Sequence, residues 1–232
     1  VRTRSLPPSD PWYSGATLGY YTFGQQMVAF LTLLTGLSTR FTFNLAIGLL
    51  GGLILQGSFT LLRNWAGNVR AGIAGAGLTV LVGNLAGLRE WLVNHRALDW
   101  NYFWATSRVV KDTINEYPFW SLVFADLHAH VLAIPLFLLF AACALHFIRI
   151  HSGLPARPIS RIASACALGF AAATQVLTNA WDAPLLAILM GFVVLAAAAA
   201  GPSLASALSA GIDGVVAAAA ALAVALPLWV RG

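Results

Sequence analysis

Three ionisable side chains crowd the segment Phe124-Ala125-Asp126-Leu127-His128-Ala129-His130, at the mouth of a long apolar run. A helix there puts Asp126 and His130 one turn apart on one face; an extended chain points all three side chains the same way. Either arrangement supplies ligands for a divalent metal, or an acid/base pair. Ionisable groups at the entrance to a membrane span are costly, which makes function the first hypothesis. Contact with a polar substrate and a purely structural polar network draw on the same residues, and spacing does not choose among the three.

Three more polar clusters stand out. Between Asp99 and Glu116, Arg108 and Lys111 lie three residues apart and would share a helix face, where two cations beside aromatics could hold a phosphate or pyrophosphate head group. The plainer alternative pairs them with Asp112 and Glu116 in a solvated loop. In Ser9-Asp10-Pro11-Trp12-Tyr13-Ser14-Gly15, prolines 7, 8 and 11 stiffen the backbone and Gly15 permits a turn. Asp10 could act there as a general base towards a hydroxyl acceptor, or simply cap the helix that follows. Thr178-Asn179-Ala180-Trp181-Asp182 separates two apolar runs, and Asn179 and Asp182 are either turn-formers and caps or members of the same polar cavity. His146 and His151 flank Arg149 and read as bystanders, and no phosphate-binding loop, nucleophile elbow, CxxC pair or dinucleotide fingerprint is present.

The elements that must position these groups follow from composition. Of 232 residues, 59% are apolar and 9% charged, with a mean hydropathy of +0.79. Soluble domains are about 45–50% apolar and about 25% charged. A water-soluble enzyme and a disordered chain are both excluded, because neither keeps this much apolar surface in water. The expected fold is all-α: a polytopic transmembrane bundle forming a single membrane domain over 1–232, with an outer loop at 1–19, an interfacial helix at 20–37 and six spans within 41–230. The spans are expected at 41–62, 71–88, 131–148, 162–177, 183–200 and 214–230, with Asp213 starting the last from the interface. The excess of positive charge, 13 Lys+Arg against 8 Asp+Glu, suits helix anchoring rather than nucleic acid. Arg63 and Arg70 then share a side with Arg149, Arg157 and Arg161 in loops free of acidic residues, so this side faces the cytoplasm and the four polar clusters face out. Cys143 and Cys166 both sit inside apolar runs, against a disulfide scaffold.

Together the clusters resemble the YYY membrane protein family, a poorly characterised bacterial and archaeal group named for consecutive tyrosines. The matching stretches are Asp10-Pro11-Trp12-Tyr13-Ser14-Gly15 with Tyr20-Tyr21-Thr22-Phe23-Gly24, Ser107-Arg108, Thr113-Ile114-Asn115-Glu116-Tyr117-Pro118-Phe119, the Asp126-His128-His130 segment, Thr178-Asn179-Ala180-Trp181-Asp182 and Leu226-Pro227-Leu228. Thr22 replaces the family's third tyrosine, and Gln25 its usual histidine. The family's chains are longer, and this one begins at Val1, so it is expected to be part of a longer protein.

That family is similar, more distantly, to the GT-C class of polytopic glycosyltransferases. The resemblance implies an inner-membrane, multi-pass enzyme that transfers sugar from a polyprenyl-phosphate donor on the outer face. It implies Asp10 as catalytic base, and Tyr20, Tyr21, Arg108, Lys111, Glu116, Asp126, Asn179 and Asp182 around the substrate, with His128 and His130 on a divalent metal. Membrane lipids and other membrane subunits are the expected partners, and a structural or accessory subunit of a larger complex is the alternative function.

Overall fold

The computed structural model describes residues 8–153 and 156–229. Residues 1–7 of the expected outer loop, Leu154 and Pro155 of the second Arg-only loop, and Val230 at the end of the last expected span lie outside the described residues. In chain order the helices are α1 (Phe23–Thr35), α2 (Thr39–Ala66), α3 (Val69–Leu81), α4 (Ala86–Leu92) and α5 (Trp100–Thr106). They continue with α6 (Pro118–Val123), α7 (Ala129–His151), α8 (Pro158–Thr178), α9 (Ala183–Ala200) and α10 (Leu204–Trp229).

Local chemistry explains where many of these begin and end. The side chains of Ser38, Asn68 and Asp99 accept from the backbone N–H groups of Arg40, Ala71 and Tyr102, which starts α2, α3 and α5. Prolines in the first turn open α6, α8 and α9, where the missing N–H costs nothing. Gly36 and Gly67 close α1 and α2 in the left-handed conformation at φ 66° and 72°.

Among the described residues five helices are long and apolar enough to cross a membrane, or six if the bent pair α3–α4 is one crossing. Their outward faces suit lipid: on α9, Leu185, Ile188, Phe192 and Leu195 are all at least half exposed. In water such a stripe would not persist. The protein is a polytopic helical membrane protein. At 13 residues α1 rises only about 20 Å, short of the ~30 Å hydrocarbon core.

Two expected spans need correction. The second does not run unbroken over 71–88: α3 stops at Leu81 and the chain bends by 82° into α4. Asn84 causes the break. Its Nδ2 donates to the Thr106 carbonyl at 2.7 Å, and its Oδ1 accepts the Ala86 N–H at 3.0 Å, so it ties the turn to α5 and starts α4. Gly83 lies against the Tyr117 ring, and any Cβ there would come 2.5 Å from the ring carbon. The last span starts at Leu204, not Gly214. Ser203 and Ser206 exchange hydroxyl-to-backbone bonds at its start, which sets the first turn ten residues early.

The chain divides into two compact units, residues 37–135 and residues 1–36 with 136–232. In the first, Gly72 and Gly75 let α3 lie directly on Phe59 and Leu62 of α2. In the second, α8 packs on α10 around a core of Phe140, Phe147, Leu168, Leu186, Val193 and small alanines. Gly169 sets the approach, since a Cβ would fall 2.1 Å from the Ala217 carbonyl oxygen. Backbone cannot yield as a side-chain tip does. Gly169→Ala is therefore expected to lower the melting temperature by about 5 °C or more, as overpacking costs of ~1–3 kcal/mol would in a chain of this size. Gly48→Ala, with open space around it, should leave it unchanged, which thermal unfolding in detergent checks.

If the two Arg-only loops share a side, as the charge pattern predicts, α3 and its break must cross. Thirteen helical residues give about 20 Å, and the four-residue break adds up to about 13 Å, enough to span with α4 turned aside. In a background lacking the free thiols of Cys143 and Cys166, Trp65→Cys and Val110→Cys should label with an impermeant maleimide from opposite sides. Labelling from the same side would make α3–α4 re-entrant.

Candidate functional site

The unit formed by residues 37–135 gathers Arg108, Glu116, Asp126 and His128. Arg108 follows α5, and two neighbours brace it. Its Nη1 donates to the Ser107 carbonyl at 2.8 Å and the Ser107 hydroxyl at 2.9 Å, while its guanidinium sits 4.4 Å from the centroid of the Trp104 ring. Ser107, fully buried, donates in turn to the Phe103 carbonyl at 2.8 Å. Arg108 Nη2 lies 3.8 Å from Glu116 Oε1, a long contact with a partly sheltered carboxylate. These groups leave a half-buried cation with a fixed direction, the arrangement that suits a bound oxyanion.

The expectation that Arg108 and Lys111 share a helix face does not hold. Residues 107–117 form a loop tied by Asn115, whose N–H donates to the Ser107 carbonyl at 2.8 Å. Its Oδ1 accepts from the Val110 N–H and from the Thr113 hydroxyl, both at 3.0 Å. Asp112 turns the loop at φ 60°, and Lys111 is exposed. Asn115 was legible only as part of a polar stretch, because its bonds close a ring that hydropathy does not show.

The Asp126 segment combines both conformations considered from sequence. Residues 126–128 are non-helical, so Asp126 and His128 point the same way, and the His128 ring Nδ1 and the Asp126 carboxylate are hydrogen-bonded. Ala125 ahead of them holds a left-handed φ of 53°, and the Asp126 N–H donates to the Ser121 carbonyl at 2.8 Å. His130 has entered α7 and turns away, its Nε2 bonded to the Ser121 hydroxyl at 3.0 Å. The two imidazoles stack 6.0 Å apart, yet the group with metal-ligand spacing is Glu116, Asp126 and His128.

The remaining expected site residues belong to the other unit. Asp10 sits in a small closed loop bridged at Ser9 and Thr17, with Gly15 at φ 85°. One carboxylate oxygen accepts the N–H groups of Trp12 at 2.7 Å and Tyr13 at 3.2 Å; the other has no partner among the described residues. Tyr20 and Tyr21 stack at 4.0 Å, and burial together with the Tyr21 hydroxyl pushes the Tyr20 phenol up to about 12, so it stays a neutral donor. Thr22 accepts a 2.8 Å bond from Gln26. Asn179 and Asp182 flank α8 and α9 without capping them by side-chain bonds. Asp182 instead accepts from Gln175, a buried amide seven residues earlier whose own oxygen is unpartnered among the described residues.

Sequence reasoning missed Gln175, whose signal was an amide inside an otherwise apolar helix. It also missed the contact of His151 and Arg161 with Asp213. His151 is buried, not a bystander: its Nε2 donates to Asp213 Oδ2 at 2.9 Å, and Arg161 Nε donates to the same oxygen at 2.8 Å. The signal there was an acid inside the last apolar run.

Residues 1–231 match the family described as Uncharacterized membrane protein (DUF2298). The chain belongs to that family. The match covers both units and every polar cluster described above, so the Arg108 group and the Asp10 loop are parts of one family's chain. Comparison with curated proteins and with solved structures returns no significant match.

Proposed function

We propose that this DUF2298 protein is a membrane glycosyltransferase that takes sugar from a polyprenyl-phosphate donor at the outer face. Arg108 carries the reading. An arginine braced by Trp104 and Ser107, with a carboxylate at long range, is oriented to receive a phosphate oxygen. Asp10, in its closed loop, offers a free carboxylate oxygen as general base for the acceptor hydroxyl. Transfer then breaks the bond from sugar to phosphate and forms one from sugar to acceptor. The acceptor proton passes to the general base, and the lipid phosphate leaves as a phosphate anion. Tyr20, Tyr21, Asn179 and Asp182 would contact the sugar or the acceptor.

The test is binding of a short prenyl phosphate and of the matching prenyl alcohol to the full chain in lipid nanodiscs. The phosphate should bind more tightly, and Arg108→Ala should weaken it about 10-fold or more while leaving the alcohol unaffected, the loss expected of a charge-assisted hydrogen bond. Equal binding of phosphate and alcohol would remove the donor assignment and leave the accessory-subunit alternative standing.

A further inference from the structure

We infer that Glu116, Asp126 and His128 form a divalent-cation site whose open positions face the same space as Arg108. One ligand-capable atom from each lies within 4.8 Å of the others. Three features beyond proximity point to an ion. First, the ligands come from two separate stretches, the loop before α6 and the extended segment before α7, and the fold holds both. The Asn115 ring and the Tyr117 hydroxyl bond to Thr106, at 2.9 Å, fix the first stretch, and the Asp126 N–H bond to Ser121 fixes the second. Second, the exposure is graded: the side chains of Glu116 and Asp126 are 10% and 21% exposed, that of His128 62%, so an ion can enter from one side and keep exchangeable positions there. Third, Arg108 holds Glu116 only loosely. Its Nη2 forms an ion pair with Glu116 at 3.8 Å, longer than a hydrogen bond, while Nη1 is turned to Ser107, so carboxylate lone pairs remain for an ion.

Two carboxylates and one imidazole make a mixed oxygen and nitrogen set. It suits Mn²⁺ or Zn²⁺ better than Mg²⁺ or Ca²⁺, which prefer oxygen throughout. With three protein ligands an octahedral ion keeps open positions, and Arg108 beside it makes a phosphate-bearing molecule the ligand those positions would take. The hydrogen bond between Asp126 and His128 is what such a pair forms without a cation; the ion takes the place of their proton. The site differs from the simple His-x-His expectation, because His130 is committed to Ser121 and Glu116 supplies the third ligand.

The ion site is independent of the sugar-transfer reading, because its test needs no substrate. Mn²⁺ is titrated into the purified full chain in nanodiscs, and free Mn²⁺ is read by electron paramagnetic resonance. One ion per chain is expected, weakened about 100-fold in Asp126→Asn and in His128→Ala and clearly weakened in Glu116→Gln, since a lost ligand should cost at least what a lost supporting bond does. His95→Ala, in a neighbouring loop, should bind as the parent does. Melting temperature and elution volume of each variant show that it remains folded. Binding unchanged in all three ligand variants would mean an adventitious ion and overturn the proposal. Binding that survives Glu116→Gln but is lost in His130→Ala would place the ion on the His-x-His pair, which also overturns it. If Arg108→Ala leaves prenyl phosphate binding intact while the Mn²⁺ results hold, the donor reading fails and the ion site stands.

Discussion

On the proposed sugar-transfer function, Asp10→Asn should abolish transfer to within background, a loss of about 10²–10⁴-fold for removal of a general base, with the protein still folded. The geometry makes this substitution selective. One Asp10 oxygen holds the Trp12 and Tyr13 N–H groups, and an asparagine carbonyl can accept both bonds equally well. The second position, where the carboxylate oxygen has no partner among the described residues, loses its charge and its basicity. Asp10→Ala removes the cap as well, so it should combine the same catalytic loss with a loosened loop; the difference between the two variants isolates the cap. The measurement is transfer of a radiolabelled sugar from a polyprenyl phosphate, made alongside melting temperature. Full activity in Asp10→Asn would reduce Asp10 to the structural cap that residue types alone also allowed.

Asp213→Asn should be the most damaging single change to stability, lowering the melting temperature by roughly 10 °C. Asp213 and His151 are almost fully buried, with side-chain exposures of 5% and 2%, while Arg161 is 29% exposed. His151 is held at both ring nitrogens, Nδ1 lying 2.8 Å from the Phe147 carbonyl and Nε2 2.9 Å from Asp213 Oδ2. Asparagine keeps a carbonyl acceptor but removes the negative charge that faces Arg161, and breaking a buried ion pair typically costs about 3–5 kcal/mol; the partial exposure of Arg161 and the retained acceptor put the expectation near the lower end, at about 3 kcal/mol. Adding Arg161→Gln to Asp213→Asn should recover part of the loss, because it removes the orphaned cation. A shift below about 2 °C in the single variant would show that the three groups contribute no net stability.

The broad architecture was legible because hydropathy is local and additive along the chain. Residues 41–62 and 183–200 read directly as α2 and α9; Ser38 and Asn68 mark helix starts through bonds made within one turn, and Pro158 marks one through its fixed φ and missing N–H. Membrane class and helical fold needed nothing more, since lipid leaves an apolar backbone of that length no alternative to a helix. Where the reading failed, a long-range bond outweighed local pattern. The α3 break depends on Asn84 reaching Thr106, and the early start of α10 hides behind Asp213, which is tolerated inside a helix only because Arg161 and His151 meet it.

The candidate site divides along the same line. Composition alone made Asp10, Arg108, Glu116, Asp126 and His128 conspicuous, because charge is scarce in this chain and each charged side chain in lipid must have a partner or a role. Residue spacing could not say that Glu116, ten positions from Asp126, would complete a ligand set from which His130 is turned away, nor that Arg108 would be braced while Lys111 stays exposed. Those outcomes rest on loop closure by Asn115 and on where Ser121 lies, and contacts between segments distant in sequence exist only once the chain has folded.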